Sequence, residues 1–99
     1  KNLQRSAASA RKRVLMHGTI YAPTGAHAVW VRDVSQYGAL VTTELPLPKD
    51  CDLIFKRGPI FAAGHVAWVQ GRNAGLHFYR PVPEEQLLLA VVPDLNRDR

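Results

Sequence analysis

The segment Arg32-Asp33-Val34-Ser35-Gln36-Tyr37-Gly38 holds the residues best suited to gripping a small polar ligand. Asp33 offers an acceptor, Ser35 a hydroxyl that donates and accepts, and Gly38 a backbone free of side chain. If a strand persists as far as Ser35, Asp33 and Ser35 point the same way. Gly38 would permit a positive φ and let the backbone approach a ligand closely. Taken alone, D-x-S-x-x-G is also the pattern of a β-turn capped by Asp or Ser, with no ligand involved.

Other residue types capable of chemistry are placed less tellingly. His17, His27, His65 and His77 are scattered along the chain. His65 and His77 can face each other across neighbouring strands, but no carboxylate or cysteine lies near either in the linear pattern. A metal site needs three or four converging ligands, so these histidines read as solvent-face strand residues and no metal is expected. Ser35 has no His and Asp pair placed to activate it as a nucleophile. Asp50 and Asp52 flank a proline loop and read as turn and edge residues. The chain is therefore expected not to be an enzyme.

The elements that must position the D-x-S-x-x-G segment are short strands. Val14 to Tyr21 alternates apolar and polar residues with period two. Pro23-Thr24-Gly25 signals a turn. Ala28–Val34 and Ala39–Thr43 read as the next strands, on either side of the break at Gln36-Tyr37-Gly38. Pro46, Pro48 and Asp50 make a loop. Cys51–Lys56 and Ile60–Val69 follow, joined by the turn Arg57-Gly58-Pro59. In the second of these, Ile60, Ala62, Gly64, Val66 and Trp68 fall on one face, and Gly64 marks a bend or a close backbone approach. Gln70-Gly71-Arg72-Asn73 is a hairpin turn, and Ala74–Phe78 is the last strand. Pro83 suits the first position of a helix, with Glu84 and Glu85 in its first turn, and Leu87–Val92 continues it until Pro93. Five or six strands in series with tight turns give an all-β fold, a small antiparallel barrel or sandwich covered by a terminal helix.

Composition bounds the partners. The chain has 99 residues and a net charge of +5, the size of one domain with one modest core. Residues 1–13 carry five bases and no acid, whereas residues 14–99 carry eight of each. All of the excess charge thus sits on a basic arm, 1–13, ahead of a neutral body, 14–93, and a tail, 94–99, that reads as frayed. Such an arm points to an anionic partner. The neutral body argues against single-stranded nucleic acid, whose binding modules interleave bases and aromatics on one sheet face. No apolar run approaches the roughly 20 residues of a membrane span, and no signal peptide is visible. The lone Cys51 fits a reducing compartment, so a cytoplasmic location is expected.

The order of these features resembles the PilZ domain family: a basic arm, a strand, D-x-S-x-x-G after the second strand, and then Gly64-His65-Val66-Ala67-Trp68 and Ala74-Gly75-Leu76-His77-Phe78 as the two late strands. The resemblance covers about residues 5–92. It implies a six-stranded antiparallel β-barrel with a C-terminal α-helix and a non-enzymatic role in bacterial signalling, with cyclic di-GMP as ligand. It also implies a pair of arginines, R-x-x-x-R, just before the first strand. Here Ala7 stands four before Arg11 and Ser9 four before Arg13. One family arginine therefore carries over, onto Arg11 or Arg13, and Arg5 can take the second place by folding back. The ligand-binding set implied is Arg5, Arg11, Arg13, Asp33, Ser35 and Gly38. Arginine forks to phosphate or to the O6/N7 edge of guanine, and Asp33 accepts from guanine N–H groups. The imperfect arginine pair leaves an alternative, a degenerate PilZ domain that does not bind cyclic di-GMP. That version acts through protein contacts or self-association at the Leu87–Val92 helix, which is apolar on more than one face.

Overall fold

The computed structural model describes residues 16–91. Six strands form within them: β1 (Met16–Ala22), β2 (Gly25–Val34), β3 (Gly38–Thr43), β4 (Asp52–Arg57), β5 (Ile60–Gln70) and β6 (Asn73–Phe78). One helix, α1 (Glu84–Ala90), follows. The strands pair antiparallel in the order β1-β2-β3-β6-β5-β4, and β4 closes back on β1 through Thr19↔Lys56, Ile20↔Phe55 and Tyr21↔Ile54. The chain is thus an all-β, six-stranded antiparallel barrel with a C-terminal α-helix. Closure pairs the strands that would otherwise be sheet edges. The basic arm and the terminal tail lie outside the described residues, as do Val14, Val92 and Pro93.

The period-two pattern builds the core. Met16 and Ile20 of β1, Val29 and Val31 of β2, Val41 of β3, Leu53 and Phe55 of β4, Ile60 and Val66 of β5, and Leu76 and Phe78 of β6 all point inward and are buried. Phe55 and Phe78 stack at the centre with ring centroids 5.7 Å apart. Gly64 answers its expected role. A Cβ there would lie 2.3 Å from the His77 carbonyl oxygen, so β5 and β6 can approach closely only without a side chain at this point.

The helix differs in detail from the sequence reading. Pro83 is the N-cap rather than the first helical residue, because its ψ of 142° is extended. Its carbonyl accepts from the N–H groups of Gln86 and Leu87. The helix ends at Ala90, and the Val91 N–H closes it on the Leu87 carbonyl. Glu84 and Glu85 sit in the first turn, where the helix dipole favours acids.

The last turn of α1 carries no basic residue of its own. Arg57, at the end of β4, supplies one. Its Nε donates to the Ala90 carbonyl at 2.8 Å and its Nη1 to the His17 carbonyl at 2.9 Å. One guanidinium therefore satisfies a helix-terminal acceptor and ties α1 to β1. The next residue, Gly58, lies with its would-be Cβ 3.4 Å from the Ala90 Cα, which lets the helix end settle on the β4–β5 turn. We expect Arg57→Ala to cost about 2 kcal/mol, the scale of hydrogen bonds to a charged group. Arg57→Lys should recover only part of that, because one ammonium nitrogen on a flexible stem lacks the rigid, spaced Nε and Nη1 donors that meet the two carbonyls. Urea unfolding of the two variants checks this, and equal midpoints for wild type and Arg57→Ala would refute the tie.

Candidate functional site

Strict alternation would have buried the groups most useful to a ligand. Asp33 has the same parity as Val29 and Val31, and Trp68 the same parity as Val66. Two β-bulges change this. In the β2–β3 ladder the register shifts between Val31 and Asp33, leaving Arg32 as the extra residue. Asp33 then pairs with Leu40, on the outer face, and Val34 pairs with Ala39 in the core. In the β5–β6 ladder the register shifts between Val66 and Trp68, with Ala67 extra. Trp68 then pairs with Gly75 and Val69 with the buried Ala74. Bulges re-aim side chains in this way beside functional sites. The sequence reading that put Trp68 on the face of Ile60 and Val66 is corrected by the second bulge.

Both bulges act on one row of the barrel. Asp33, Leu40, Gly75 and Trp68 are successive register partners across β2, β3, β6 and β5. A pocket of about 370 Å³ opens over this row. Asp33, Ser35, Tyr37 and Gly38 line it on one side, and Trp68 on the other. The three residues expected from D-x-S-x-x-G therefore meet in one place. Asp33 is only 9% exposed, so its carboxylate demands donors or a cation at close range. Trp68 keeps 43% of its surface exposed and lies over Gly75.

The route by which they meet differs from the expected one. β2 ends at Val34, so Asp33 and Ser35 do not share a strand face. The chain turns after Val34 and brings Ser35 round. The Ser35 N–H donates to the Gly38 carbonyl at 2.9 Å, and the Ser35 hydroxyl oxygen accepts from the Tyr37 N–H at 3.1 Å. Ser35 is thus a turn cap as well as a pocket residue. Gln36 anchors the turn from below. Its side-chain amide donates to the Val82 carbonyl, and its own carbonyl accepts from the Val82 N–H. Gly38 has no positive φ, unlike Gly25, Gly58 and Gly71. It is glycine because a Cβ would stand 2.1 Å from the Leu76 carbonyl oxygen.

Arg5, Arg11 and Arg13 lie outside the described residues. Trp68, Tyr37 and Gly75 were not among the expected site residues. The sequence held one signal for them: Gly75 in mid-strand, which marks a close approach by a neighbour.

A second polar group lies one turn of the pleat away. Asp52, His65, His77 and Gly38 are successive partners across β4, β5, β6 and β3. Strand pairing thus brings a carboxylate beside His65, which the linear pattern did not place there. The Tyr79 hydroxyl donates to Asp52 Oδ1. That hydrogen bond, followed by partial desolvation and the carboxylate charge, pushes the Tyr79 phenol above its usual value. Cys51 is also pushed up, by burial first and by Asp52 second.

These features define a class: a closed β-barrel with an open pocket on the outside of its wall, at the turn after the second strand. The PilZ domain family model matches residues 5–92, and the chain belongs to that family. PilZ domains are in general receptors for cyclic di-GMP, and binding domains rather than enzymes. A search of curated proteins returned no match. Among the described residues no helix is long and apolar enough to cross a membrane.

The two glycines of the pocket should respond differently to alanine. At Gly75 the new Cβ would fall 2.1 Å from Trp68 Nε1, so the indole must swing off its seat. At Gly38 the obstacle is backbone, which cannot swing. Gly75→Ala should shift the emission of Trp68 while keeping most stability, read in a Trp30→Phe background. Gly38→Ala should lose about 1–3 kcal/mol, the usual cost of overpacking. Unchanged emission in Gly75→Ala would mean that Trp68 does not rest there.

Proposed function

We propose that this chain is a cyclic di-GMP receptor domain that acts by binding alone, in the bacterial cytosol. The ligand lies over the row Asp33–Leu40–Gly75–Trp68, and arginines of the basic arm close over it. One observation carries this reading: two separate bulges turn Asp33 and Trp68 outward at the same level, beside Ser35 and Gly38. Asp33 accepts from a guanine N–H edge, and the exposed indole of Trp68 offers a face for a base to stack on. The pocket volume is at the lower end for small-molecule clefts. It fits part of a dinucleotide, and the rest is left to the arm. Arg11 or Arg13, with Arg5 as the second, forks to phosphate or guanine. Each such arginine contributes about 1.5–3 kcal/mol, or roughly ten- to hundredfold in affinity. The half-buried Cys51, the lone cysteine, fits a reducing compartment.

A second reading has its own observation. Leu88 and Leu89 of α1 are 62% and 65% exposed, while Leu87 and Ala90 pack on the barrel. The helix is apolar on two sides, as a domain working through protein contacts would need.

Calorimetric titration of the intact chain with cyclic di-GMP separates the two. On the first reading heat is evolved or absorbed, and Arg11→Ala, Arg13→Ala, Asp33→Ala and Trp68→Ala each weaken binding, while Lys49→Ala does not. No heat and no chemical-shift change at high micromolar ligand overturns it. A concentration-dependent dimer without nucleotide, abolished by Leu88→Lys, would then support the second.

A further inference from the structure

All four histidines of the chain lie among the described residues. Two of them, His65 on β5 and His77 on β6, are directly opposed cross-strand partners on the outer face. Their rings meet edge to face with centroids 5.5 Å apart. Two imidazoles on one ion, each at about 2.0–2.1 Å through nitrogen, hold their ring centres roughly 5 Å apart. The observed ring separation is therefore close to that of a chelate. The spacing is set by strands inside a closed barrel, so bringing the two ligands together costs little backbone entropy.

The ring nitrogens are also uncommitted. His65 Nδ1 is buried and has no hydrogen-bond partner, and His77 makes only a ring contact among the described residues. Tyr79 stacks on His65 at 5.5 Å and 22°, a contact that uses neither ring nitrogen. His27, by contrast, spends its Nε2 on the Thr24 hydroxyl at 2.7 Å, and His17 is covered by Trp30 at 4.3 Å. Asp52, the register partner of His65 on its other side, places negative charge along the same row. Opposite charge nearby favours a cation over a neutral guest.

We propose that His65 and His77 form a two-imidazole chelate for a late first-row divalent ion, Cu²⁺, Ni²⁺ or Zn²⁺. Imidazole suits these ions, whereas Mg²⁺ and Ca²⁺ want oxygen ligands. No group of three His, Cys, Asp or Glu side chains converges on a metal position among the described residues. Water completes the shell, and the site is an open surface chelate rather than a closed structural one. Its position is specific. His77 is the register partner of Gly38, so the ion would lie one outer row from the pocket.

The test is a titration of the chain, free of any affinity tag, with ZnCl2, NiCl2, CuSO4 and MgCl2, followed through the imidazole resonances. Zn²⁺ should shift the His65 and His77 rings before those of His17 and His27, and Cu²⁺ should broaden the same pair at lower concentration. His65→Ala and His77→Ala should each weaken binding about ten- to hundredfold, and His27→Ala should not. His65→Gln, which keeps size and polarity, repeats the test should His65→Ala fail to fold. Four outcomes overturn the proposal: no ring shift at millimolar Zn²⁺, equal response of all four histidines, unaltered binding in both His65 and His77 variants, or preference for Mg²⁺. None of these depends on whether cyclic di-GMP binds.

Discussion

A β-strand residue faces one side of its sheet, and parity decides which. In a small closed barrel the consequence is severe. The interior must be filled by every second residue, and whatever shares that parity is lost to the outside. Asp33 shares the parity of Val29 and Val31, and Trp68 that of Ile60 and Val66. A carboxylate and an indole pointing inward would set a charge and a bulky ring among the aliphatic core side chains, whereas the pocket wall leaves Asp33 within reach of a ligand. The bulges at Arg32 and Ala67 resolve both conflicts at once. Each returns the next residue, Val34 or Val69, to the interior side, so the core gains an aliphatic side chain where the pocket gains a polar or aromatic one.

The same economy governs the close approach of neighbouring strands. Gly38, Gly64 and Gly75 are not needed for unusual dihedrals. They are needed because a neighbour already occupies the place of a Cβ: the Leu76 carbonyl, the His77 carbonyl and the Trp68 ring respectively. β6 is common to all three contacts. It pairs with β3 below the D-x-S-x-x-G turn and with β5 below Trp68, and it passes its register to both. The turn is held to it by the Phe78 N–H, which donates to the Tyr37 carbonyl at 2.9 Å. Pocket geometry is thus shared between the barrel wall, which carries Asp33, Gly75 and Trp68, and a turn pinned to that wall, which carries Ser35 and Tyr37.

This explains which parts of the chain were legible in sequence. Apolar alternation and turn residues marked every described strand to within a few residues, because period two and Gly- or Pro-bearing turns are local signals. The Asp33, Ser35 and Gly38 set was legible from its spacing. The bulges were not, since a bulge is set by the partner strand and leaves only a parity change behind. Alternation alone therefore puts Trp68 on the wrong face, and the glycine at 38, which would permit a positive φ, instead serves a close contact with the Leu76 carbonyl. Pro83 stands one place earlier than its residue type suggests, because a proline φ serves the N-cap as well as the first turn. Asp52 beside His65 needed the β4–β5 register, which no linear pattern contains.

The division of charge sharpens what the pocket can and cannot hold. The body from residue 14 onward is neutral, and the pocket wall contributes a carboxylate. A phosphate placed against Asp33 would be repelled, whereas a purine edge bearing N–H donors would be accepted. Under the proposed function the wall therefore reads bases and the arm neutralises phosphates. The two tasks fall on different parts of the chain. Asp33 and Trp68 are held in place by strand pairing before any ligand arrives. In that proposal the arginines supply the electrostatic attraction, and the sequence spacing of Arg5, Arg11 and Arg13 limits how many fork at once. The proposed function thus assigns selectivity to the barrel wall and most of the affinity to the arm.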